Sequence, residues 1–185
     1  MTSGYTSLPA DLPVPVDDGA AKHLKAMRVP SLALPSTMGA DIDLSRLSGR
    51  AAVFAYPMTG KPGVALPDGW DAIPGARGCT PQNCAIRDMH GEFASHGVSV
   101  FALSTQPTAY QQEMAARLHL PYPVLSDADF QLTDGLRLPT FMSEGTRLLR
   151  RITLIISGGV IEQVFYPVFP PDRSAAQVLD WLRDV

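Results

Sequence analysis

Hydrophobic residues recur along the chain in short uninterrupted runs that alternate with segments of helical spacing. The run at residues 51–56 is continuous and predicts a central strand buried on both faces of a sheet, and the run at 98–103 predicts a second buried strand. A shorter strand is predicted at 31–34. Two further runs, 152–156 and 160–165, are separated only by Ser-Gly-Gly, which indicates a hairpin.

The clearest helix signal begins at Thr80-Pro81, because threonine is a good N-cap and proline suits the first helical position. Apolar residues then recur at helical spacing until Gly97, which is typical of a helix end. Further helices are predicted at 108–118, 127–136 and 174–183. The order strand, helix, strand, helix, hairpin, helix predicts an α/β domain with a central mixed β-sheet flanked by helices.

Two segments lack this periodicity and are rich in proline and glycine. Residues 1–29 are interpreted as a proline-rich N-terminal extension draped over a domain at 30–185, with one short amphipathic helix candidate at 20–27. The second segment is a long loop from Pro57 to about Thr80. Loops of this length inside compact domains are usually functional or mobile.

The composition of the chain narrows the range of functions that it can have. A chain of 185 residues that is 45% hydrophobic is expected to form one globular domain. Its formal net charge of -3, with acids and bases interspersed, gives no basic face for nucleic acid. No apolar segment approaches the length of a membrane span, and the N-terminus lacks the pattern of a secretory signal. We therefore expect a cytoplasmic protein without a membrane or nucleic-acid partner.

The chain has two cysteines, Cys79 and Cys84, which lie close together in the sequence. A domain of this size does not need a disulfide for stability, so in a reducing compartment such a pair is more often redox-active or metal-binding. His90 and His96 follow, but their spacing is too short for a zinc finger, and a helix would spread the four side chains around its axis. We therefore expect no metal site and no cofactor.

Cys79 lies at the predicted helix start, with Arg77 two residues before it. Unpaired N–H groups and a guanidinium both favour a thiolate. Gly78 keeps a side chain away from an approaching small oxidant. Cys84 lies one turn into the same helix, where residues five apart have Cα atoms roughly 8 to 9 Å from each other. A disulfide needs roughly 4.4 to 6.8 Å. The two cysteines could therefore bond only if the first turns unwind.

The run from Gly78 to Asp88, Gly-Cys-Thr-Pro-Gln-Asn-Cys-Ala-Ile-Arg-Asp, resembles the peroxiredoxin family, especially its peroxiredoxin Q or bacterioferritin-comigratory branch. The resemblance continues from about residue 30 to the C-terminus. Its other parts are Leu34-Pro35, Leu44-Ser45, Ala55-Tyr56-Pro57 and the strand from Arg151 to Ile156. It implies a thioredoxin-like fold.

The resemblance also implies a role for individual residues. Cys79 would be the peroxidatic cysteine, Cys84 the resolving cysteine, and Arg151 the arginine that holds the thiolate and polarises the peroxide. Pro57 would shield the pocket from water. Ala76 stands where the family has a threonine, and the interval from Pro57 to Cys79 is longer than in the family. Thr59 is the nearest hydroxyl that could substitute, and Pro74 is an alternative shield.

The implied function is a thiol-dependent peroxidase. It would reduce hydrogen peroxide or organic hydroperoxides through a sulfenic acid on Cys79, which Cys84 converts to an intramolecular disulfide. Thioredoxin or a glutaredoxin would reopen that disulfide, and the protein would be a monomer or weak dimer. Two alternatives stay open: a redox sensor or disulfide oxidoreductase with slow peroxide turnover, and a non-catalytic interaction protein that retains the fold.

Overall fold

The computed structural model describes residues 8–185, and their centre is a five-stranded sheet. In chain order the strands are β1 (Arg50–Ala55), β2 (Val98–Ser104), β3 (Val124–Ser126), β4 (Thr140–Ser143), β5 (Thr146–Leu149), β6 (Ile152–Ser157) and β7 (Val160–Phe165). The sheet has the order β3-β2-β1-β6-β7, with β1, β2 and β3 parallel and β6 and β7 antiparallel to their neighbours. The expected mixed sheet is therefore confirmed.

Five helices connect and cover these strands: α1 (Cys79–Asp88), α2 (His90–Ser95), α3 (Thr108–Arg117), α4 (Gln131–Leu136) and α5 (Ser174–Arg183). Successive side chains of β1 point to opposite faces of the sheet, and both faces are buried under helices. Val53 faces one core with α4, whereas Phe54 faces the other with α1, α2, α3 and α5. Both side chains are fully buried, as the uninterrupted apolar run predicts.

The predicted strand at 31–34 is wrong. Leu34 forms a single bridge with Ile42, through hydrogen bonds of 3.0 and 2.9 Å in the two directions. Pro30 and Pro35 flank the segment, and neither offers an N–H group to extend the pairing into a strand.

The helix candidate at 20–27 is also wrong, because this segment forms turns instead. Ala26 has a left-handed φ of 69°, and its N–H donates to the Ile161 carbonyl of β7 at 2.8 Å. Backbone pairing with the sheet edge thus replaces a helix. Leu24 and Val29 are buried in the main core, so residues before 30 contribute to it. The boundary between 29 and 30 stays a prediction.

The long loop after β1 has its own small core, which sequence periodicity did not predict. Trp70 begins a 3₁₀ turn (Trp70–Ala72) and is 3% exposed. It packs with Ala76 and with Leu148 of the hairpin formed by β4 and β5. That hairpin was not predicted either.

Within residues 8–185, no helix is long and apolar enough to cross a membrane.

Candidate active site

Cys79 is the first residue of α1, and the chain enters the helix through Gly78. The predicted start at Thr80 is corrected by one residue: Gly78 is the N-cap, and Thr80 lies inside the first turn. Gly78 has a φ of 104°, a left-handed conformation that favours glycine. A Cβ at this position would lie 2.7 Å from Leu8 Cδ2 and would also collide with Pro171. The glycine is thus required by the turn and by its neighbours.

The Cys79 thiol is 4% exposed and faces the guanidinium of Arg151, at 3.2 Å between Sγ and Nη2. The same Nη2 lies within 3.2 Å of three successive carbonyl oxygens, those of Gly75, Ala76 and Arg77. The thiol itself lies 3.6 Å from the Ala76 carbonyl oxygen, to which it can donate. Arg151 therefore joins the end of the long loop to the start of α1.

The charge of Arg151 is notable because the side chain is only 3% exposed. Among residues 8–185, no carboxylate forms an ion pair with it. Carbonyl and amide oxygens partly replace water around the cation, but they carry no net charge. An anionic sulfur on Cys79 would supply the missing counter-charge at hydrogen-bonding distance. Neighbouring Arg150 instead points to the surface and pairs with Asp18 at 4.0 Å.

Three polar residues of the site were missed by sequence reasoning. Gln82, fully buried in α1, accepts a hydrogen bond from Nη1 of Arg151 through its Oε1. Asn83 donates from Nδ2 to the Cys79 carbonyl at 2.9 Å. The Tyr122 hydroxyl donates to the backbone carbonyl of Asn83 at 2.8 Å. Burial raises the pKa of Tyr122, so this hydroxyl stays a donor. The sequence signal for these contacts was weak because two of the three pairs are distant in the chain.

Cys84 is a free, half-buried thiol on the same helix. Burial raises the pKa of Cys84, and the nearby Arg87 guanidinium opposes that effect. Because Cys79 is the first helical residue and Cys84 the sixth, their Cα atoms are roughly 8 to 9 Å apart by helix geometry. The structure thus holds the two cysteines apart, beyond the reach of a disulfide.

A small cavity opens beside Cys79, and we call it the thiol pocket. It is lined by Met58, Thr59, Leu66, Trp70, Gly78 and Cys79, among others. Two of the predicted substrate residues, Thr59 and Gly78, are therefore brought to the cysteine. Pro57 is buried just before them but does not line this pocket. The Thr59 hydroxyl lies 3.2 Å from Gln106 Oε1, to which it donates.

The histidines after Cys84 do not join it in a metal-binding cluster. His90 lies against the Tyr122 ring, with 5.9 Å between the ring centroids. In the part of the chain from residue 8 onward, no three His, Cys, Asp or Glu side chains are grouped so that they could hold a metal ion.

The sequence profile of the Redoxin family matches residues 24–179. The chain belongs to the Redoxin family. Peroxiredoxin Bcp of Escherichia coli K12 is 29% identical over 160 residues, covering 84% of this chain and 92% of that protein. Chloroplastic peroxiredoxin Q of Oryza sativa subsp. japonica is 25% identical, covering 100% of this chain and 81% of the relative. The crystal structure of peroxidoxin BcpB from Mycobacterium tuberculosis is similar with a TM-score of 0.71 and 27% identity, covering 88% of this chain and 99% of that one.

These similarities confirm two expectations from the sequence. The chain is a redoxin of the peroxiredoxin Q and Bcp branch with a thioredoxin-like fold. It is also an enzyme of the oxidoreductase class, a thiol-dependent peroxidase, rather than a non-catalytic protein that retains the fold.

Proposed function

We propose that Cys79 is the peroxidatic cysteine, Cys84 the resolving cysteine and Arg151 the residue that stabilises the Cys79 thiolate. One observation carries the proposal: the Cys79 sulfur lies 3.2 Å from a buried guanidinium that has no carboxylate partner among residues 8–185. A buried cation without a counter-ion favours an anion at the adjacent atom. The positive end of α1 acts in the same direction.

In the first chemical step, the Cys79 thiolate attacks the terminal oxygen of a hydroperoxide. An S–O bond forms and the O–O bond breaks, so that sulfur is oxidised to a sulfenic acid and the peroxide is reduced. The departing alkoxide or hydroxide takes up a proton and leaves as an alcohol or water. Arg151 suits this step because its fixed, permanently charged donors can follow negative charge as it moves between oxygens.

In the second step, the Cys84 thiolate attacks the Cys79 sulfur. An S–S bond forms, the S–O bond breaks, and hydroxide leaves as water after taking up a proton. The helical separation of the two residues keeps Cys84 from this attack until the first turns of α1 open. Cys79 therefore reacts first with the peroxide, and capture by Cys84 follows.

We assign supporting roles to Pro57, Thr59 and Gly78. Gly78 lines the thiol pocket next to Cys79 and lets the chain turn into α1 there. Buried Pro57 keeps water from the base of the segment that carries Thr59. Thr59 lines the thiol pocket and offers the hydroxyl that is missing at Ala76, although Gln106 now accepts its hydrogen bond.

An external dithiol completes the cycle by exchange with the Cys79–Cys84 disulfide. We propose thioredoxin or a glutaredoxin as this donor and the cytoplasm as the compartment, because disulfides are reduced there. We also propose a monomer or weak dimer in which 30–185 is the catalytic domain and 1–29 an extension.

Peroxide consumption with a dithiol donor, combined with sulfenic acid trapping and mass spectrometry, tests this proposal. The Cys79→Ser variant should lose turnover, whereas the matched Cys84→Ser variant should accumulate a trappable sulfenic acid on Cys79. Turnover by Cys79→Ser at the parent rate would show that another group reacts. A disulfide that forms in the parent without appreciable turnover would favour the redox-sensor alternative.

A further inference from the structure

The thiol pocket is small. The space in it that is open to a water-sized molecule is about 20 Å³. A single water needs roughly 10 to 15 Å³ on this measure, so the pocket has room for hydrogen peroxide or for the terminal group of a small hydroperoxide. A bulky substituent on the peroxide would have to displace part of the wall.

That wall comes from the long loop after β1 and is packed in place. Trp70 is 3% exposed, and its ring lies 6.1 Å from the ring of Phe141, between centroids. Leu66 and Met58 pack against the same cluster. A wall fixed by buried neighbours restricts the substrate before binding, because opening it would cost the packing of that cluster.

A much larger space borders the Met58 part of this wall, and we call it the side hollow. It offers about 300 Å³ and is lined mainly by apolar groups, including Pro107, Phe130 and Leu148. Met58 lines both the thiol pocket and the side hollow, and no other lining residue is shared. Hydrogen bonds between Thr59 and Gln106 close the partition beside it, since Thr59 lines the pocket and Gln106 the hollow.

We propose that Met58 determines substrate size in this enzyme. Its side chain separates the thiol pocket from the side hollow and so favours hydrogen peroxide and small hydroperoxides over bulky ones. The inference rests on the proposed function of Cys79 and adds the residue that limits its substrate. Shortening Met58 would join the two spaces and give a bulky substituent an apolar site next to the cysteine.

The test is the ratio of kcat/KM for cumene hydroperoxide to kcat/KM for hydrogen peroxide. Met58→Ala should raise this ratio about tenfold or more, the size of effect that a few methylene groups in a pocket produce. Met58→Val removes less volume, and its ratio should lie between those of the parent and Met58→Ala. Met38→Ala is the matched control, because Met38 is 55% exposed and lines neither space. Its ratio should equal that of the parent.

Thermal unfolding of each variant shows whether it is folded at the assay temperature, and the milder Met58→Val keeps the test valid if Met58→Ala is unstable. A ratio that does not rise in the folded Met58 variants overturns the inference and leaves the proposed function intact. Equal kcat/KM of the parent for both peroxides would likewise overturn the inference and leave the proposed function intact. Absence of turnover with either peroxide in the parent would overturn the proposed function, and this inference with it.

Discussion

At the scale of single residues, the site depends on the pairing of one sulfur with one buried guanidinium. Arg151 is held by Gln82 and by three carbonyl oxygens of the loop end, so its position is fixed before a peroxide arrives. Preorganised donors of this kind stabilise charge in a transition state without the cost of reorientation. The fixed geometry of the Arg151 N–H donors therefore matters as much as the positive charge of the guanidinium.

A lysine at position 151 should therefore be a poor replacement. Arg151→Lys keeps the positive charge but loses the planar donors that reach Gln82 and Cys79 together. We expect the peroxidase rate to fall about a hundredfold, the scale found when one preorganised donor is removed. Steady-state kinetics with hydrogen peroxide measures this loss.

Arg150→Lys is the matched control, because Arg150 lies at the surface and pairs with Asp18. Its rate should stay within about twofold of the parent, since an exposed ion pair contributes little. Equal losses in the two variants would mean that the loss does not come from the contact between Arg151 and Cys79, which Arg150 does not make.

The resolving step should depend on pH through Cys84. Its attack requires the thiolate, and because the pKa of Cys84 is raised by burial, little of that form is present at neutral pH. The rate of disulfide formation should therefore increase with pH, up to tenfold per unit below the pKa. Stopped-flow measurement of this phase between pH 6 and roughly 9 checks the direction. A resolving rate that stays constant or falls across this range would contradict the assignment of Cys84.

The sequence could single out the candidate cysteines but not their surroundings. Cys79 and Cys84 were proposed from their spacing near a helix start, and Arg151 from the resemblance to the peroxiredoxins. Arg151 is 72 positions from Cys79, so local pattern could not connect them. The carbonyl groups around the guanidinium depend on the path of the long loop. That path is set by tertiary packing, and no short-range rule describes it.

At the scale of elements, the start of α1 must open before the two cysteines can bond. Several contacts oppose opening: Asn83 binds the Cys79 carbonyl, Tyr122 binds Asn83, and Pro171 packs against Gly78. Each contact involves only the start of α1, so the first turns can separate while the sheet keeps its hydrogen bonds. We expect the adjoining loop from Thr59 to Gly78 to absorb the movement.

Hydrogen exchange in the dithiol and disulfide forms tests this picture. Exchange should increase together in the loop at 59–78 and in residues 80–85 of the disulfide form, while β2 stays protected. Peroxide-treated Cys84→Ser is the control, because it cannot form the disulfide and should keep α1 closed. Identical exchange of both segments in the two redox states would mean that resolution needs no unwinding.

The elements that sequence patterns predicted well are those buried on a regular face. The strand at 51–56, the hairpin at 152–165 and the last helix agree with β1, β6, β7 and α5 to within a residue or so. The hairpin of β4 and β5 was missed because its first strand is mostly half-exposed and shows no clear alternation. The strand predicted at 31–34 does not form. The apolar run lies between two prolines, and it makes only one isolated β-bridge.

At the scale of the whole molecule, two irregular segments are packed around a rigid sheet and meet at the cysteine. Residues 8–18 reach the loop end, where Leu8 lies beside Gly78 and Pro15 beside Gly75. Asp18 then fixes the segment to the body by accepting a hydrogen bond of 2.9 Å from Tyr166. The long loop closes the other side with Trp70. The fold thus surrounds the Cys79 sulfur, and we expect its oxidation to change the fluorescence of the adjacent Trp70 indole.

The central claim is that Cys79 is oxidised first and Cys84 then resolves it. The chain has two tryptophans, Trp70 and Trp181, and a Trp181→Phe background leaves the indole that lines the thiol pocket. Stopped-flow fluorescence after mixing with stoichiometric hydrogen peroxide should then show a fast change followed by a slower one. In this background Cys84→Ser should lose the slower phase and Cys79→Ser should lose both. If Cys79→Ser keeps the fast phase at full amplitude, or Cys84→Ser keeps the slower one, the account is wrong.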